Sequence, residues 1–161
     1  MGPAPFYLIE TDVRSVSTAA ALWSRDGSEV RVVRGRKMRT KEGLLNEFSA
    51  AWQFPEYFGE NYDALRECLI DLDTWLPHAP YVTVVRDCED VLSDAAPVAG
   101  RSALAILIEI MEDARAEFAV GRAHRPPLPF HVVLHAERGW GARAERIWRR
   151  AGGDVVRVDV G

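Results

Sequence analysis

A chain of 161 residues, 48% hydrophobic and 27% charged, can bury a core without staples and is too apolar to stay disordered. Its formal net charge of -4 and lack of a basic block argue against nucleic acid as a direct partner. No apolar run reaches membrane-spanning length, so no membrane partner is expected. The N-terminus has no charged start followed by a long apolar run, since Ala19-Ala20-Ala21-Leu22 is too short; a cytoplasmic location is expected by default. Cys68 and Cys88 form no metal-ligand pattern, and Cys68 falls on the apolar side of its helix, as a buried reduced thiol would.

Residues 1–5 contain two prolines and read as a loose tail. Phe6 to Glu10 reads as a short strand and Val16 to Ser24 as a short helix. Asp26-Gly27 marks a turn, and the β-branched run from Glu29 to Arg34 is a second strand. Thr40 is an acceptable N-cap for a helix over Lys41 to Trp52, whose Leu44, Leu45, Phe48 and Trp52 recur at helical spacing. An aromatic loop follows, and Asn61 reads as the cap of the next helix. There Leu65, Cys68, Leu69 and Leu72 define the buried side, and Pro77 and Pro80 end it.

Tyr81 to Val85 is a strand by its β-branched content. Ser102 caps a long helix to about Ala119, with Leu104, Leu107, Ile108, Met111, Arg115 and Phe118 on one side. Pro126, Pro127 and Pro129 make a loop; Phe130 to His135 is a strand, Ala142 to Arg150 a helix and Val155 to Val160 a last strand. Alternation of helices with apolar strands predicts an α/β fold, a single three-layer domain over residues 1–161 with a mostly parallel central sheet and helices on both faces.

The stretch from Glu56 to Asp73 stands out. Its acids are Glu56, Glu60, Asp63, Glu67, Asp71 and Asp73, against a single Arg66. Asp63 and Glu67 lie four residues apart and repel by a few tenths of a kcal/mol (~0.2–0.5). Asp71 and Asp73 sit at the unfavourable end of the helix dipole. The arrangement is mildly destabilising locally, which suggests a role outside the helix. Tyr57, Phe58 and Tyr62 are expected to offer exposed rings beside the carboxylates, the composition of a protein-binding surface. Catalysis does not fit: acids on one exposed stripe share one environment, and no nucleophile or His accompanies them. No enzyme activity is expected.

Two further motifs are candidates for chemistry. Gly139-Trp140-Gly141-Ala142-Arg143-Ala144 has the G-x-G-x-x-A form between a strand and a helix, with Asp159 where a ribose partner would lie. Trp140 and Arg143 crowd that turn, and a plain βαβ unit is the preferred reading over nucleotide binding. His78, His124, His131 and His135 include a same-face pair on one strand, His131 and His135, but no cluster completes a metal site. No metal and no cofactor are expected.

The run Phe54-Pro55-Glu56-Tyr57-Phe58-Gly59-Glu60-Asn61-Tyr62-Asp63-Ala64-Leu65, followed by Cys68-Leu69, closely resembles the signature of the barstar family, intracellular inhibitors of secreted bacterial ribonucleases. The resemblance implies a barstar-like core over about 29–136, with extensions at 1–28 and 137–161. It implies stoichiometric inhibition of a secreted bacterial ribonuclease or related nuclease toxin, the acidic helix and its loop plugging the active site. The partner-binding residues would be Tyr57, Phe58, Gly59 and Asn61 of the loop and Asp63, Arg66 and Glu67 of the helix. Asp113 and Glu117 of the long helix resemble the family's second acidic contribution. The family archetype carries Asp at the position of Glu67 and Trp at that of Arg66, which keeps open an interaction module or immunity protein with a non-ribonuclease partner.

Overall fold

The computed structural model describes residues 5–159. Its elements are β1 (Phe6–Glu10), α1 (Val13–Arg25), β2 (Glu29–Arg34), α2 (Lys41–Trp52), α3 (Tyr62–Ile70), β3 (Tyr81–Arg86), α4 (Ala103–Val120), β4 (Phe130–Ala136), α5 (Gly141–Arg150) and β5 (Val155–Arg157). Short 3-10 turns cover Gly35–Lys37, Leu72–Thr74 and Cys88–Asp90. The strands form one sheet in the order β2-β3-β4-β1-β5, with every neighbouring pair parallel.

The order dictates the layers. Passing from β2 to β3 to β4 to β5 moves one way across the sheet, while β1 to β2 runs back. Right-handed crossovers therefore put α1 on the face opposite the other helices. The packing agrees: Val16 and Ala20 of α1 meet Ile9, Val82, Val84 and Val133. Leu44 and Phe48 of α2, Leu65 of α3, Leu107 of α4 and Trp148 of α5 share the larger core with Phe6, Tyr81, Val132 and Val155. Alternate residues of one strand thus feed two cores, as period two requires.

Local chemistry sets most boundaries. Asp12, Thr40, Asn61 and Ser102 each accept a hydrogen bond from the backbone N–H three residues on, opening α1, α2, α3 and α4. With Asp12 as cap, α1 is longer than the expected Val16 to Ser24. The last strand is shorter than expected, because β5 pairs only with Phe6, Tyr7 and Leu8 of β1; Val160 lies outside the described residues, as do residues 1–4 of the expected tail. Leu72 is buried, but in the 3-10 turn after α3.

Arg115 is nearly buried among the apolar residues of α4 and donates to the carbonyls of Phe130 and Pro5. At the end of β2, Gly35 passes so close to the Asp87 carbonyl that a Cβ would overlap it. Both cysteines are free and buried, and burial pushes the Cys88 thiol well up.

Candidate functional site

α3 owes its position to its own apolar stripe and to the loop before it. Leu65 and Leu69 are fully buried, Cys68 and Ile70 nearly so, which turns Asp63, Arg66 and Glu67 to solvent. The loop is fixed from inside. Phe58 packs edge-on against Phe54 at 5.0 Å, and Phe54 against Trp75 at 6.2 Å. Asn61 accepts from the Ala64 N–H at 2.8 Å and donates to the Gly59 carbonyl at 3.2 Å, so one side chain caps the helix and holds the turn.

The three rings expected to be exposed are not alike. Tyr57 is 81% exposed, whereas Phe58 and Tyr62 are half-buried against the core. Lys41 also covers the Tyr62 ring, at 5.2 Å. The apolar content of the loop anchors it and leaves one aromatic presented.

The four acids from Asp63 to Asp73 divide in two. Asp73 accepts from Arg125 at 2.6 Å; this guanidinium is 1% exposed and also donates to the carbonyls of Ile70 and Glu117 while lying over the Phe118 ring at 4.0 Å. A cation bonded to Ile70, the last residue of α3, meets the orphan carbonyls at the negative end of the helix. Asp71 pairs with Arg122 at 2.9 Å. The acids expected to be uncompensated at the end of the helix therefore have partners from the loop after α4. The sequence could not show this, because the contact spans about fifty residues.

Arg66 is not a free cation either: it donates to Asp113 at 2.9 Å. Glu117 lies 3.6 Å from Arg122. The α4 acids Asp113 and Glu117 stand at the flank of α3 but carry local countercharge. Among the described residues, Asp63 and Glu67 have neither an ion pair nor a hydrogen bond on their carboxylates. They border a groove of about 380 Å³ walled by Tyr57, Asn61, Asp71 and Trp75. Two unpaired carboxylates beside an exposed phenol can accept hydrogen bonds from a cationic donor.

The other sequence candidates fare differently. The Gly139-Trp140-Gly141 turn does open α5, but the Gly139 N–H donates to the Glu10 carboxylate at 2.7 Å, and Arg157 pairs with the same carboxylate. A Cβ at Gly141 would overlap that carboxylate. The chain's own anion fills the place a phosphate would take. Those contacts, the Gly139 bond foremost, hold the Glu10 carboxyl below its usual range. His135 is fully buried between the Asp87 N–H and the Thr11 carbonyl, while His131 is exposed. Among the described residues no group of His, Cys, Asp and Glu could hold a metal ion.

The family model described as "Barstar (barnase inhibitor)" matches residues 28–135, most of the chain. The chain belongs to the barstar family. The matched span takes in β2, β3 and β4 with α2, α3 and α4, so the acidic helix lies inside it, whereas β1, α1, α5 and β5 lie largely outside. No curated protein matches the chain. Among solved structures, the Aeropyrum pernix ORC2 protein in its ADP form is similar with a TM-score of 0.58 and 10% identity, over 98% of this chain and 43% of that one. The same protein in ADPNP-ADP complexes gives 0.59 and 10%, over 98% and 42%. Drosophila ORC bound to GC-rich DNA and Cdc6 gives 0.50 and 13%, over 98% and 49%. The barstar-family chain spans less than half of each of these proteins, and at such identities the likeness is one of fold. No helix among the described residues is long and apolar enough to cross a membrane.

Proposed function

We propose that the protein is a stoichiometric inhibitor of a secreted bacterial ribonuclease or related nuclease toxin, protecting the producing cell from inside before the enzyme is exported. The observation that carries this reading is the pair of unpaired carboxylates, Asp63 and Glu67, beside exposed Tyr57 in a family of ribonuclease inhibitors. A ribonuclease cleft is lined with cations that hold phosphate. Carboxylates on a rigid helix stand in for that phosphate, steer the encounter and pair with the cations once water is excluded. Glu67 enters deepest, Asp63 contacts the rim, and Tyr57 covers one side with its ring. Phe58, Gly59 and Asn61 hold the loop in shape, and the Arg66–Asp113 pair with Glu117 forms the flank. The protein blocks rather than turns over, so no cofactor is needed.

The alternative is a module of the same fold with a non-nuclease partner. The Arg66–Asp113 pair favours it, since a cation in the middle of the acidic surface weakens its field. One titration separates them. Added to basic, guanyl-preferring secreted ribonucleases, the protein should abolish activity at one equivalent. Failure to inhibit any such enzyme, with capture of an acidic non-nuclease from the producing cells, would leave the alternative standing.

A further inference from the structure

A second groove, of about 700 Å³, lies outside the acidic site, between the first turn of α4, the segment 91–97 and α5. Its floor is aliphatic: Val91, Leu92 and Leu104 are buried there and Ile147 half-buried. The segment is pinned in place, since the Leu92 N–H donates to the Met38 carbonyl at 2.7 Å and the Asp94 N–H to the Arg39 carbonyl at 2.9 Å. One wall carries Arg143, Arg146 and Arg150, all exposed. Their spacing of three and four residues puts them in one row on α5, about 10 Å long at ~1.5 Å per residue.

These arginines differ from their neighbours. Arg149 pairs with Glu145, and Arg157 with Glu10 and Glu145, whereas Arg143, Arg146 and Arg150 have no acidic partner among the described residues. Arg143 lies over the Trp140 ring at 5.6 Å and sits in the first turn of α5, where a cation opposes the helix dipole. Helix stability therefore does not explain Arg143, whereas Arg150 lies in the last turn, where a cation favours the dipole. The positive end of α4 faces the same groove. Glu89, the acid at its edge, has a buried unpartnered oxygen, and burial holds its carboxyl above the usual range.

We propose that this groove binds an acidic peptide segment of a partner protein, its carboxylates on Arg143, Arg146 and Arg150 and an apolar side chain on Leu92, Leu104 and Ile147. Guanidinium groups take carboxylates in paired hydrogen bonds. The aliphatic floor favours peptide over nucleic acid, because single strands are held by aromatic stacking and by a wider basic surface than a protein of net charge -4 offers. The site is independent of the inhibitor reading.

The test uses the full chain at low ionic strength and a fluorescein-labelled peptide of about ten residues, Glu-rich around a central Leu pair, long enough to span the row at ~3.3 Å per residue. Wild type should bind it, and the Arg143→Ala/Arg146→Ala/Arg150→Ala variant should bind at least about tenfold more weakly. The same peptide with Gln for every Glu should be equally weak on wild type. Asp63→Ala/Glu67→Ala should leave peptide affinity unchanged, which separates this site from the inhibitory one. Three outcomes would overturn the proposal. One is no binding, or equal binding by wild type and the triple variant. Another is arginine-dependent binding of an oligothymidylate in place of the peptide. The third is self-association of wild type that the triple variant lacks, which would assign the groove to a second copy.

Discussion

The two ends of one acidic stretch have opposite fates. At the C-terminal end, Asp73 and Asp71 are held by Arg125 and Arg122, and the Arg125 guanidinium is 1% exposed. One and two turns earlier, Glu67 and Asp63 face a groove with no countercharge bound to them. The same residue type closes the fold at one end and is left unneutralised at the other. A charge cluster therefore has to be read acid by acid, by asking which carboxylates the fold itself neutralises.

The largest effect should come from breaking the closed end. Asp73→Ala leaves the Arg125 guanidinium buried without its carboxylate and should cost about 3–5 kcal/mol of stability by chemical denaturation. A loss below about 1 kcal/mol would show that the clasp is not structural. Alkaline titration probes the same end. Burial, with the Asp73 carboxylate adding to it, pushes the Tyr81 phenol up to about 12. Because the folded value is raised, the stability is present in full below pH ~10 and lost as pH climbs through ~12, roughly 2–3 kcal/mol in all. Tyr81→Phe should lack that alkaline loss.

At the open end the effect should move from stability to binding. Glu67→Ala should weaken inhibition by about 2 kcal/mol or more, the size typical of close charge pairs in the archetypal complex of this family. Its unfolding midpoint should match wild type. The smallest effect separates the two acids of the closed end: Asp71 and Arg122 are both about half exposed, so Asp71→Ala should cost at most about 1 kcal/mol. A larger cost would extend the clasp to both acids.

What could be read from the sequence was local or periodic. Thr40, Asn61 and Ser102 are caps because a short polar side chain can reach an N–H three residues on, and no distant contact is needed to see it. The alternation of apolar strands with helices gave the α/β fold and its parallel sheet. Strand order was not legible, because β1 inserts between β4 and β5 through contacts over a hundred residues apart in sequence. Within the site, Tyr57, Asp63 and Glu67 stood out by type and spacing. The inward packing of Phe58 and Tyr62 did not, since an aromatic before a helix can face either way until Phe54, Trp75 and Lys41 are placed around it. Arg122, Arg125 and the row on α5 carried no motif at all.

The central claim is that Asp63 and Glu67 are free for a partner while Asp71 and Asp73 serve the fold. It is tested most directly by one variant, Asp63→Ala/Glu67→Ala, titrated against a basic secreted ribonuclease that wild type inhibits at one equivalent. The account predicts a variant with the wild-type unfolding midpoint and inhibition weaker by at least about a hundredfold, a larger loss than Glu67→Ala alone causes. A variant that still inhibits at one equivalent with undiminished affinity would contradict it.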